Sequence, residues 1–430
     1  MLINELILYK IDENETILKN MSYLMDLMER PKEERDTVKM RDMFYSCMQG
    51  LLELGGNYGF YGNLWHCYLA NILVNNENSY SRSTEIVGNI VGTINDAVLH
   101  DIVIFKKLFD YSFDDMISFL DIDGFDLILD YRASCEESKV YNQRIKERIC
   151  TLAARFNDDH TPTEMKDTLT DFYRDYGVGK FGLHKAFRIE EKDGETQIVP
   201  ILNIAHVKLD DLVGYEIPKK KLTDNTEAFV DGKRANNCLL YGDAGTGKSS
   251  SIKAITNAYY ERGLRVIEIY KHQFKMLNDV IAQIKNRNYK FIIYMDDLSF
   301  EDFEIEYKYL KAVIEGGLEK KPSNVLIYAT SNKRHLINET FSEREDALNV
   351  RDTMQEKLSL VARFGVTIYF ESPEKKEFQN IVRELASRAG LKLTDEELMK
   401  EANKWEMTHG GYSGRAATQL IDYLLGKQQV

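Results

Sequence analysis

From residue 1 to about 175 the apolar positions recur every three to four residues, the pattern of amphipathic helices. The longest stripe, Ile86, Ile90, Ile94, Val98, Ile102, Phe105 and Phe109, keeps that spacing over several turns and predicts a helix with one face on a core. Around 181–201 the period changes. Phe187-Arg188-Ile189 and Ile198-Val199-Pro200-Ile201 flank Asp193-Gly194, a dipeptide suited to a two-residue hairpin turn.

Beyond residue 210 short apolar runs alternate with helical stretches, which predicts an α/β unit with a parallel sheet. The expected strands are Cys238–Tyr241, Val266–Tyr270, Phe291–Met295, Val325–Ala329 and Val366–Phe370, each apolar enough to be buried on both faces. After Pro373 the pattern is helical again, over 373–389, 394–407 and 413–425, with Gly390 as a C-cap and Thr394 as an N-cap. The domain division expected from this is a helical region over 1–180, a hairpin linker over 181–206, an α/β core over 207–371 and a helical lid over 372–430.

The chain has 430 residues, long enough for two or three domains. Its net charge of -13 works against phosphate backbones as partners, so nucleic acid is not favoured. The five cysteines show no metal-ligand spacing and read as reduced and mostly buried. The first residues lack a basic region followed by an apolar stretch, and no run is long enough to span a membrane, so the expected compartment is the cytoplasm.

The chemistry concentrates in Gly242-Asp243-Ala244-Gly245-Thr246-Gly247-Lys248-Ser249, which fits G-x-x-x-x-G-K-[ST]. An apolar run leads in, and Ser250 with the residues after it leads out as a helix. In that context the backbone N–H groups form an anion nest and the helix presents its positive end to phosphates. Lys248 is placed to bridge the β- and γ-phosphates of ATP, and the Ser249 hydroxyl to ligate magnesium. The run Phe291-Ile292-Ile293-Tyr294-Met295 ends in Asp296-Asp297. Magnesium takes hard oxygen ligands and keeps most of its waters, so Asp296 suits the metal through water, and Asp297 suits polarising the attacking water, with Glu301 in reserve.

With three further segments these motifs resemble the AAA+ superfamily. Thr330-Ser331-Asn332, after an apolar strand, looks like sensor 1, with Asn332 at its polar position. Ser359-Leu360-Val361-Ala362-Arg363-Phe364 looks like the segment whose arginine reaches a neighbouring subunit, and Gly411-Tyr412-Ser413-Gly414-Arg415 looks like sensor 2. Leu212-Val213-Gly214-Tyr215, Ala235-Asn236-Asn237 and Asp296-Asp297-Leu298-Ser299-Phe300-Glu301 narrow the likeness to the bacterial DUF815 family, over about 207–430. The resemblance implies a five-stranded sheet of order 5-1-4-3-2, a helical lid, ATP with magnesium, and a homo-oligomer joined through the Arg363 surface. Arg334 and Arg351 are the other arginines for that role, and the N-terminal region is left to recruit a protein target. Asp297 departs from the Asp-Glu of most active AAA+ members; its shorter side chain makes slow hydrolysis or a nucleotide switch the rival to a turning-over ATPase. A nucleic-acid loader and a small-molecule kinase are the remaining alternatives. Gly55-Gly56-Asn57-Tyr58-Gly59, lacking the Gly-Lys ending, reads as a loop or partner surface, and Asp121–Asp126 fails as a calcium loop because Arg132 stands at its twelfth position.

Overall fold

A computed structural model describes residues 2–132, 142–202, 204–298, 306–315, 322–332, 361–409 and 411–428. The chain divides into two compact units, Met1–Leu183 and His184–Val430. The first is helical. Its core holds Tyr9, Phe44, Trp65, Tyr68, Phe105, Phe156 and Tyr173, and the polar ends of its aromatic rings are satisfied: Trp65 Nε1 donates to the Leu108 carbonyl and Tyr173 donates to that of Leu73. Buried Asp101 accepts from the backbone N–H groups of Ile7, Leu8 and Tyr9, which fixes the N-terminal segment to the helix Ile94–Phe109.

Two expectations fail here. The long stripe is not one helix: Ser79–Val87 ends at Gly88, with φ +77, and the next helix begins at Ile94, leaving Ile86 50% exposed. The apolar spacing runs across a break that glycine permits. Gly55 and Gly56 lie inside the helix Thr37–Tyr58 rather than in a loop, and Gly55 lets Leu64 pack closely against that helix.

The second unit is built on one sheet with strands β1 (Ala186–Lys192), β2 (Glu195–Pro200), β3 (Cys238–Gly242), β4 (Leu264–Glu268), β5 (Lys290–Met295), β6 (Val325–Ser331) and β7 (Val366–Phe370). Their order is β2-β1-β4-β5-β6-β3-β7. The expected five-stranded sheet of order 5-1-4-3-2 is therefore corrected to a seven-stranded one. The hairpin is no linker; β1 pairs in parallel with β4 and carries β2 antiparallel on its outer side. Its turn is as expected, with Asp193 and Gly194 both at positive φ. The five parallel strands taken alone run β7-β3-β6-β5-β4, the succession expected for them.

All seven residues of β6 are buried, as a central parallel strand requires. The helices Glu216–Val230 and Lys248–Tyr259 pack on the sheet around Leu222, Phe229, Leu240, Ile252, Ile255 and Ile292. Asn324 closes the approach to β6 by donating to the carbonyls of Ile284, Arg287 and Tyr289. Beyond β7 the helices Lys375–Arg388, Asp395–His409 and Gly414–Gln428 form a small bundle around Phe378, Ile381, Val382, Leu398, Ala417, Leu420 and Ile421. Among the described residues no helix is long and apolar enough to cross a membrane.

Phe187 lies in β1 and is fully buried, so the hairpin's membership of the sheet has an energetic consequence. Phe187→Ala is expected to destabilise the second unit by about 3–5 kcal/mol. Hydrogen exchange of the β4 amides under increasing urea measures this; a change near zero would mean that the hairpin is dispensable to the sheet.

Candidate functional site

The site begins where β3 ends. Gly242 has φ +127, and a Cβ there would fall 2.2 Å from the Phe370 carbonyl oxygen of the neighbouring β7, so no larger residue fits. The chain then folds over itself into the helix that starts at Lys248. The Thr246 hydroxyl donates to the Asp243 carbonyl, and the Lys248 ammonium donates to the carbonyls of Gly242 (3.0 Å) and Asp243 (2.6 Å). Burial pushes the Lys248 pKa down; the charges of Asp243, Asp297 and Asp296 oppose that shift, and Arg415 adds to it. An ammonium held in this way is poised to gain from an incoming anion.

Opposite the loop, three hydroxyls converge on one oxygen. Ser249 (2.8 Å), Tyr294 (2.7 Å) and Thr330 (2.6 Å) all donate to Asp296 Oδ1. Burial pushes the Asp296 carboxyl up, but the hydrogen bonds from Thr330, Tyr294 and Ser249 outweigh it and leave the group below its ordinary value. Thr330 Oγ1 also accepts from the Asp297 backbone N–H, and Asn332 Nδ2 donates to Asp297 Oδ1 at 2.9 Å. Thr330 and Tyr294 are members of this cluster that sequence reading did not single out. The signal was available in Tyr294, a polar-tipped residue two positions before Asp296 and hence on the same face of β5.

The C-terminal helical bundle completes the enclosure. The Arg415 backbone N–H donates to the Gly245 carbonyl at 3.0 Å, and Gly245, at φ +75, leaves room for Ser413 and Arg415 to lie against the loop. The result is a cavity of about 500 Å³. Its lining combines polar residues, among them Asp211, Thr246, Lys248, Ser249, Asp296, Asp297, Thr330, Asn332 and Arg415, with the apolar Leu212, Val213, Ile381 and Leu385 and the ring of Tyr215. Asp297, Asn332, Arg415, Ser249 and Asp296 all line this one cavity. Gly242 and Asp243 are not among the lining residues, and the Asp243 carboxylate accepts from the Ser372 N–H. Arg363 lies just before β7 and is not part of the wall. Arg334, Arg351 and Glu301 lie outside the described residues.

A cavity with Lys248, Arg415 and a helix N-terminus beside apolar side chains can take an anionic group and an apolar group of one ligand. For a divalent cation the site offers one hydroxyl and one ionised carboxylate side by side. That is a donor set for a hard cation shared with phosphate oxygens, and among the described residues no group of three His, Cys, Asp or Glu forms a self-sufficient metal site.

The family described as "Protein of unknown function (DUF815)" matches residues 182–428, beginning at the hairpin rather than at the 207 expected. A 74-residue stretch is 34% identical to the replication factor C large subunit of Staphylothermus marinus; it is 17% of this chain and spans 17% of that protein's length. The RuvB Holliday junction branch migration motor of Thermotoga maritima is 14% identical, with a TM-score of 0.31, over 50% of this chain and 71% of that one.

The three hydroxyls on Asp296 set a pH response. A depressed carboxyl stays charged until the pH falls through its folded pKa, so its charge is lost only on acidification. Thr330→Val removes one donor and is expected to move the Asp296 titration, followed by carboxyl carbon NMR, to higher pH. An unmoved titration would show that the Thr330 hydroxyl does not stabilise the charge.

Proposed function

The chain belongs to the DUF815 family, and from that membership and its site we propose that it is a magnesium-dependent AAA+ ATPase that hydrolyses ATP to ADP and phosphate within a homo-oligomer. The observation that carries this reading is the pairing of Ser249 with Asp296 and of Asn332 with Asp297 on the wall that also holds Lys248 and Arg415. A fold that needed only a glycine-rich turn would have no use for that convergence.

The triphosphate would lie along the loop, its β- and γ-oxygens taking the N–H groups of residues 245–249 and the Lys248 ammonium. The Ser249 hydroxyl and, through water, the Asp296 carboxylate would hold magnesium, which supplies charge neutralisation to the phosphate oxygens. The base would sit against Leu212, Val213, Ile381 and Leu385. Asp297, with one oxygen held by Asn332, has its other oxygen available to polarise a water. That water attacks the γ-phosphorus, the bond to the bridging oxygen breaks, ADP leaves with the electron pair, and the proton passes to the carboxylate. Arg415 contacts the γ-phosphate from the lid, and Arg363 would serve the site of the next subunit, since planar guanidinium donors match the spread charge. The helical unit would then carry the protein target.

A second reading, a switch that binds ATP and hardly turns it over, is favoured by the short reach of the Asp297 carboxylate. Kinetics separates the two. Lys248→Ala is expected to lose ATP binding and with it hydrolysis, and unchanged binding would sink the proposal. Arg363→Ala is expected to keep ATP binding while losing about a thousandfold in turnover, the scale of a trans-acting arginine. Turnover per chain should rise with protein concentration together with assembly mass under ATP. A wild type that binds ATP, stays monomeric and is inert would select the switch.

A further inference from the structure

The proposed ATPase reading leaves one loop residue without a role. Asp243 occupies the second position of the phosphate loop, yet its side chain is turned away from the cavity. Its backbone N–H donates to the Phe370 carbonyl at 3.1 Å, and its carboxylate accepts from the Ser372 N–H at 2.9 Å. Ser372 lies in the short connection 371–374 between β7 and the first lid helix, Lys375–Arg388. The Asp243 carbonyl, meanwhile, is the closer of the two acceptors of the Lys248 ammonium. One residue therefore holds the phosphate-sensing lysine by its main chain and the entry to the lid by its side chain.

The surroundings restrict how this joint can move. Gly242 pairs with Phe370 at the end of the sheet, and a Cβ there would strike the Phe370 carbonyl, so the loop leaves β3 directly against the end of β7. The lid is fixed to the same loop a second time, through the Arg415 N–H on Gly245 O. Beside the joint the Tyr215 hydroxyl is buried and has no hydrogen-bond partner among the described residues. Burial, and then the negative charges of Glu377 on the lid and Asp243 on the loop, hold that phenol in its protonated form, so it is a donor within the field of two carboxylates.

We propose that Asp243 is a positioning residue that couples Lys248 to the lid: transfer of the ammonium from the Asp243 carbonyl to a phosphate turns that peptide, the carboxylate then releases the Ser372 N–H, and the lid turns about the tie that remains, the Arg415 N–H on Gly245 O. The coupling rests on the ATPase reading, since it needs a phosphate to draw Lys248 away.

Double electron–electron resonance between spin labels on the core and the lid tests this. Lys233→Cys and Met407→Cys are exposed attachment points, Cys135→Ser clears the background, and Cys47, Cys67, Cys150 and Cys238 are buried. Distances are measured without nucleotide and at a saturating slowly hydrolysed ATP analogue with magnesium, with binding read in the same samples from a fluorescent analogue. The wild type is expected to shift its distance distribution on binding. Asp243→Ala is expected to give one broadened distribution that nucleotide no longer shifts, and Asp243→Asn, which keeps an acceptor oxygen, to shift as the wild type does. Ser372→Pro removes the same hydrogen bond from the other side and should reproduce the alanine result. An Asp243→Ala or Ser372→Pro chain that shifts like the wild type, or a wild type that binds without shifting, would overturn the latch alone. A wild type that binds no nucleotide would overturn the ATPase reading beneath it.

Discussion

Three hydroxyls from three separate stretches of chain meet on one oxygen of Asp296, and the site depends on that meeting. A carboxylate at a cavity surface keeps a fixed direction only where donors hold it. Here they come from the start of the loop helix (Ser249), from β5 (Tyr294) and from β6 (Thr330). Each donor is held by the fold, so no reorganisation is needed when charge arrives. The carboxylate is kept ionised by an arrangement that also fixes its direction, which is what a ligand for a hard cation requires.

That meeting is a consequence of register. In the pairing of β5 with β6, Met295 stands opposite Ala329, which sets Asp296 beside Thr330 one step further on. In the pairing of β3 with β6, Leu240 stands opposite Thr330, so the loop leaves the sheet next to the same threonine. A slip of one residue in either pair would turn Thr330 to the other face and carry the carboxylate away from its donors. The apolar runs of β3, β5 and β6, buried almost throughout, hold that register. The core thus supplies the tolerance within which the polar groups can meet.

Local signals explain what was legible beforehand. The loop and its flanking strand and helix were readable because Gly242, Gly247 and Lys248 are each required by backbone geometry or charge. The hairpin turn was readable because Asp193-Gly194 tolerates two positive φ values in succession. What the hairpin joins was not readable, since its pairing with β4 is decided by contacts some eighty residues away. The apolar stripe misled for the opposite reason: its spacing is continuous across Gly88, and only the φ adopted there ends the helix. Asp243 reads with the rest of its motif as a nucleotide-binding residue, with no role given to its side chain. The motif constrains the backbone of that loop, and the side chain at this variable position bonds elsewhere, to the Ser372 N–H after β7.

The same distinction bears on Asp297. The residue has φ +50, a left-handed conformation in which aspartate is better tolerated than glutamate because its short polar side chain bonds locally. Its backbone N–H is held by Thr330 and its carboxylate by Asn332, and the next backbone N–H, that of Leu298, donates to the Thr330 carbonyl. A chain that turns out of β5 in this way selects aspartate at the turn on conformational grounds. The departure from an Asp-Glu ending is therefore tied to how the strand ends. The shorter carboxylate is set by a bent backbone, with Asn332 holding the oxygen that a longer side chain would have had to orient by itself.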